Sequence, residues 1–173
     1  KDRGAFAGIA LNASDMAAFG LEGDGDLDVL IVADATPGAY GEPPRHYLLE
    51  NDGTGRFTDV TVERMPEILE VGAVSSIAVA DLDGDGREEL ALAGHWAPVT
   101  VFTRRDGNWE RMEAGGLSHS SGWWNSLTAV DIDGDGDRDL VAGNWGLNSK
   151  FRASPEEPLR LYRNDFDENG SVE

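Results

Sequence analysis

Short apolar runs separated by acidic, glycine-rich turns recur along the chain. Residues 27–33 (Leu-Asp-Val-Leu-Ile-Val-Ala) are β-branched and too few for a helix, so they read as a buried strand. The apolar run Met16-Ala17-Ala18-Phe19 precedes them, and a Pro/Gly-rich loop over 36–45 follows. Residues 46–50 and 57–62 supply two more strands, joined by Asn51-Asp52-Gly53-Thr54-Gly55, a hairpin turn because glycine adopts positive φ at little cost. The same order returns: 76–80, 89–93, 99–104, a turn at Asp106-Gly107-Asn108, then 109–113. It begins a third time with 126–130 and 139–143, and 159–163 reads as the third strand of that unit. Helical pattern is scant; residues 63–69 allow one turn, limited by Pro66.

Between the first two strands of each unit lies an acidic loop. Asp131-Ile132-Asp133-Gly134-Asp135-Gly136-Asp137-Arg138-Asp139-Leu140 alternates carboxylates with small or apolar residues. Crowded carboxylates repel, and a hard cation removes that repulsion. Calcium takes six to eight oxygens at about 2.3–2.6 Å, and a loop with carboxylates at positions 1, 3 and 5 wraps one. Gly136 at position 6 makes the turn, Asp137 offers its carbonyl, and Asp139 closes the shell. Residues 81–90 match position by position, with Asp81, Asp83, Asp85, Arg87 and Glu89 in the ligand places. Residues 165–173 match with Asp165, Asp167, Asn169, Ser171 and Glu173, and the loss of one charge at Asn169 predicts a weaker site. An eroded copy at 20–29 keeps Glu22, Asp24, Asp26 and Asp28 but has Gly20 in place of the first ligand, one carboxylate fewer than the intact loops offer.

The loops start at residues 20, 81, 131 and 165. The first two intervals suit four-stranded propeller blades of roughly 40–60 residues. The last is too short for a blade, so the fourth loop is expected between outer strands of the third unit. An EF-hand would need glutamate at position 12, where the chain has Ile31, Leu92 and Ala142. Strands rather than helices follow the loops. Tandem glycine-rich nonapeptides of the β-roll type are excluded by the spacing.

Composition narrows the function. The 173 residues, 40% hydrophobic, suffice for one domain with a core, and no apolar run approaches the ~20 residues of a membrane-spanning helix. Without cysteine there is no disulfide, zinc-thiolate site or thiol nucleophile. A net charge of −19 disfavours nucleic acid and anionic lipid as partners. Only Lys1 and Lys150 are lysines, which suits either a high-salt habitat or a base-composition bias toward arginine. His46, His95 and His119 show no ligand spacing. Trp96, Trp109, Trp123, Trp124 and Trp145 suit packing between blades more than stacking on sugars. Ser118, Ser120 and Ser121 near His119 lack a nucleophile elbow. Every clustered carboxylate pair lies in a loop of the metal-binding pattern, which argues against a glycosidase pair.

Ala80-Asp81-Leu82-Asp83-Gly84-Asp85-Gly86 and its counterpart from Val130 resemble FG-GAP/VCBS repeats, the blades of integrin-α-like β-propellers. Residues 49–57, from Leu49 to the apolar Phe57, resemble the outer hairpin of such repeats. Gly122-Trp123-Trp124-Asn125, Gly146-Leu147-Asn148-Ser149 and Glu156-Glu157-Pro158 resemble the bacterial group associated with ASPIC/UnbV domains. The resemblance implies an all-β fold of four-stranded antiparallel blades at about 13–62, 74–113 and 124–173. It implies calcium ligands Asp81, Asp83, Asp85, the Arg87 carbonyl and Glu89, and Asp131, Asp133, Asp135, the Asp137 carbonyl and Asp139. Three blades do not close a ring, since propellers have four to eight. The expectation is therefore a single partial domain, a piece of a larger, seven-bladed propeller, or one whose open edges another copy covers. The function expected is that of a calcium-binding, non-catalytic domain for adhesion or for protein or glycan binding, outside the cell, at its surface or in the periplasm. The rival is an accessory or catalytic domain of a secreted enzyme acting on polysaccharide.

Overall fold

The computed structural model describes residues 9, 11–21, 24–113, 115–146, 149–152, 154 and 156–170. Ten strands dominate it: β1 (Asn12–Phe19), β2 (Asp28–Ala35), β3 (Tyr47–Asn51), β4 (Phe57–Asp59), β5 (Ala73–Ala80), β6 (Glu89–Ala97), β7 (Thr100–Arg105), β8 (Asn108–Met112), β9 (Gly122–Val130) and β10 (Asp139–Asn144). Each pairs antiparallel with its successor within a unit. β1-β2-β3-β4 form one sheet, and β5 to β8 form the second meander. β9-β10 form a third unit, joined to the second where His95 and Ala97 of β6 pair with Trp123 and Gly122 of β9. The chain is thus all-β, with propeller-like blades, as the strand pattern predicts.

Alternation along β6 explains how the units stack. Glu-Leu-Ala-Leu-Ala sends Leu90 and Leu92 to one face and Ala91 and Ala93 to the other. The leucines join Phe19, Leu30, Val32, Leu48, Ile68, Val74, Phe102 and Trp109 in the core between the first two units. The alanines join Ala78, Val101 and Leu127 in a second core toward β9, where small side chains let the sheets approach. Full burial of each leucine contributes roughly 1.5–3 kcal/mol.

The first strands of successive units are linked by side-chain hydrogen bonds that repeat. Ser14 of β1 donates to the Val74 carbonyl of β5 at 2.5 Å, and Ser75 of β5 donates to the Trp124 carbonyl of β9 at 2.6 Å. One residue further on, Asp15 accepts from the Ile77 amide at 2.9 Å and Ser76 from the Leu127 amide at 3.1 Å.

Two predicted strands are corrected. Thr61 and Val62 do not continue β4 but begin the short helix α1 (Thr61–Arg64). Asp59 Oδ1 accepts from both the Thr61 amide, at 3.0 Å, and its hydroxyl, while Thr61 Oγ1 accepts from Leu48 N at 2.8 Å, so the chain turns out of the sheet. A 3-10 turn, Pro66–Glu70, follows, and proline is tolerated at a helical start, where its missing N–H costs nothing. Residues 159–163 form no strand. They pair with no sheet edge and lie against the 36–45 loop, where Arg163 meets Glu42 at 3.4 Å and Leu161 lies beside Gly41. The third unit therefore shows two strands among the described residues, and the fourth acidic loop does not sit between outer strands.

Candidate metal centres

All three inter-strand loops connect the predicted strands: β1 to β2, β5 to β6 and β9 to β10. Within the loop after β5, Asp81 is the organiser. Its two oxygens accept from Gly84 N at 2.8 Å and Gly86 N at 3.0 Å. Asp83 accepts from Asp85 N at 3.1 Å and Asp85 from Arg87 N at 2.8 Å. The loop after β9 repeats this: Asp131 accepts from Gly134 N at 2.7 Å and Gly136 N at 3.1 Å, Asp133 from Asp135 N at 3.2 Å, and Asp135 from Asp137 N at 2.9 Å. Gly84, Gly86, Gly134 and Gly136 all have positive φ, between 76° and 100°, which explains glycine at positions 4 and 6.

Position 9 is anchored the same way three times, to the amide of position 2. Asp28 accepts from Leu21 N at 2.6 Å, Glu89 from Leu82 N at 2.8 Å, and Asp139 from Ile132 N at 3.0 Å. Glu89 is 1% exposed and also accepts from Thr103 Oγ1 at 3.2 Å. Burial raises its carboxyl above the ordinary range, with Asp83 and Asp85 adding to the effect against the hydrogen bonds it accepts.

These bonds aim the carboxylates inward. One oxygen each of Asp81, Asp83 and Asp85 lie within 4.8 Å of one another, and so do one each of Asp131, Asp133 and Asp139. The second triad brings in position 9 rather than position 5. Such converging, acceptor-only oxygens are the donor set a hard divalent cation requires, and three carboxylates so close repel without one. Both loops can therefore hold a metal ion.

The eroded loop differs. Glu22 lies outside the described residues. Asp24 accepts from Asp26 N at 3.3 Å, and Asp28 turns its second oxygen to Asn51 N at 2.8 Å, so that carboxylate serves the hairpin. Asp26 is raised by burial and then by Asp24, and its Oδ1 is buried without a partner among the described residues. Arg104 of β7 donates to the Gly20 carbonyl at 3.2 Å and to that of Leu21, so an arginine from the second unit sits on this loop. In the fourth loop Asp165 accepts from Asn169 N at 3.0 Å and Gly170 N at 2.8 Å, and Asp167 from Asn169 N at 3.2 Å. Its Ser171 and Glu173 lie outside the described residues.

The remaining candidates fall to structural roles or to a second cluster. His46 is fully buried, facing Gly72 O at 2.9 Å and accepting from Ala33 N at 3.3 Å. Burial lowers its pKa, against the Gly72 bond that raises it. Ser120 accepts from Val99 N at 2.9 Å and donates to Leu117 O at 2.6 Å, a loop tie rather than a nucleophile. Trp109 is buried, edge-on to Phe19 at 5.6 Å. His95, Trp96 and Trp145 gather around Trp123 with ring centroids 4.9–5.0 Å apart. Periodicity alone did not reveal that gathering, because His95 and Trp145, rather than Trp96 and Trp145, occupy equivalent sheet positions, facing Ala73 and Trp123.

No helix among the described residues is long and apolar enough to cross a membrane. Among curated proteins none matches the chain. The family model described as FG-GAP-like repeat matches twice, over residues 21–92 and 81–142, each match running from one acidic loop through the strands after the next. With that coverage, and with the loop–strand order that the structure displays, the chain belongs to the FG-GAP-like repeat family.

Proposed function

We propose that the chain is a calcium-stabilised, non-catalytic binding domain that works outside the cytoplasm, where calcium is abundant. The observation that carries this is the twice-built carboxylate triad, Asp81/Asp83/Asp85 and Asp131/Asp133/Asp139, pre-oriented by the amides of its own loop. Asp135, Glu89 and the carbonyls of Arg87 and Asp137 complete the two ligand sets. The cation supplies charge neutralisation between two adjacent strands, so its binding free energy adds to folding. The chain's own residues do the rest: the position-1 aspartate closes the turn, and the position-9 carboxylate ties the loop's entry to the following strand. The sheets then hold loops at both ends in fixed positions, a scaffold suited to a protein or glycan partner. Asp165, Asp167 and Asn169, with Ser171 and Glu173, form a third, weaker site in this reading.

Calorimetric titration of metal-free chain with calcium tests it. Two tight ions are expected, one of which disappears in Asp83→Ala and the other in Asp133→Ala. Absence of calcium uptake at millimolar concentration overturns the reading.

A further inference from the structure

At the strand ends remote from the acidic loops, a crevice of about 200 Å³ opens between the first two units, lined by Asp34, Tyr40, Glu42, His95, Trp96 and Leu161. At ~30 Å³ per water, that is room for roughly six waters, or one ring-sized ligand. Trp96 holds φ at 65°, a conformation that bulky residues rarely adopt and that persists where the surroundings impose it. Its indole donates to the Tyr40 hydroxyl at 3.3 Å, which leaves the tyrosine proton free to donate in turn. Tyr40 is 56% exposed, so its ring is open to a ligand.

We propose that this crevice binds one neutral pyranose ring of a glycan. The assignment rests on the binding-domain reading above and names its ligand. The polar groups are mixed in kind. Asp34 accepts no hydrogen bond among the described residues, so its carboxylate is open to sugar hydroxyls. Glu42 is already paired with Arg163 at 3.4 Å, so it offers acceptor oxygens with its charge offset. His95 Nδ1 is out of water and without a partner among the described residues. Hydroxyls, which both donate and accept, match such a set, and the Tyr40 and Trp96 rings match the C–H faces of a sugar. An anion would meet Asp34 in a chain of net charge −19, and Glu42 already has its counter-charge in Arg163.

The test is calcium-loaded chain titrated with cellohexaose, maltohexaose, mannohexaose and xylohexaose, followed by tryptophan fluorescence and calorimetry. Binding of at least one is expected, weakened tenfold or more by Trp96→Asn, which tolerates the left-handed backbone, and by Asp34→Ala. Both variants should keep the wild-type calcium stoichiometry, which shows that they are folded. No binding of any of the four at millimolar concentration, binding unchanged in both variants, or a preference for tetramethylammonium overturns the assignment. If calcium uptake persists when glycan binding fails, only the ligand assignment falls; if calcium uptake fails too, the domain reading falls with it.

Discussion

The hydroxyl of Ser75 donates to the carbonyl of Trp124 at 2.6 Å, joining the first strands of two successive units, β5 and β9. Ser14 makes the same bond to Val74 one unit earlier. Because the partner is a main-chain carbonyl, the bond fixes the height of one unit against the next whatever side chain stands at 74 or 124. Ser75→Ala leaves that half-buried carbonyl without its donor and should cost about 1–2 kcal/mol. Denaturant unfolding should show a similar loss for Ser14→Ala, whereas exposed Ser121→Ala should stay within about 0.5 kcal/mol of the parent.

Asp131 and Asp133 stand in one loop but carry different loads. Asp131 closes the turn through two amides, and Asp133 accepts from one among the described residues. Melting is expected to fall on chelation, by an amount equivalent to about 2.7 kcal/mol when calcium had stood at a hundredfold excess over Kd. Asp133→Ala should lower the melting temperature mainly in calcium, while Asp131→Ala should lower it in chelator as well. Equal behaviour of the two variants in both buffers would contradict this division.

Glycines 94 and 143 provide a sharper contrast. A Cβ on Gly94 would sit 1.7 Å from the Ala73 carbonyl oxygen, a backbone atom of the paired strand β5. A Cβ on Gly143 would meet Ser126 Oγ at 2.5 Å, a side-chain atom that can rotate away. Gly94→Ala must push two strands apart and should cost about 3 kcal/mol or more, with Gly143→Ala well below it. Circular dichroism melts of the two variants decide the order.

Burial keeps His46 neutral and lowers its pKa in the fold. The unfolded chain takes up this proton near pH 6.5, but the folded chain resists it. The stability this histidine contributes is therefore complete above about pH 6.5 and is lost as pH falls below it, by up to about 1.4 kcal/mol per pH unit until the folded group titrates. His46→Gln should be less stable at pH 7.5, yet its stability should fall less steeply between pH 6.5 and 5 than the parent's. Parallel pH profiles would refute the assignment.

The sequence by itself determined what lies within one strand or one loop. Alternation in Glu89-Leu90-Ala91-Leu92-Ala93 specified a strand buried on both faces, with bulk on one side. The acid–glycine spacing specified the turns of 81–89 and 131–139, because their hydrogen bonds join residues at most seven apart. Tertiary structure decided what depends on distant partners. Residues 159–163 have a strand's composition but form none, since a strand exists only where another edge offers its amides and carbonyls, and here the side chains of Leu161 and Arg163 meet the 36–45 loop instead. Asp28 kept its motif position but turned one oxygen to the Asn51 amide, 23 residues away. The serine ties span 60 and 49 residues, and the crevice joins Asp34 to Trp96, residues of different sheets. Contacts of that separation carry no local pattern, because any hydroxyl or aromatic ring can serve once the sheets have stacked.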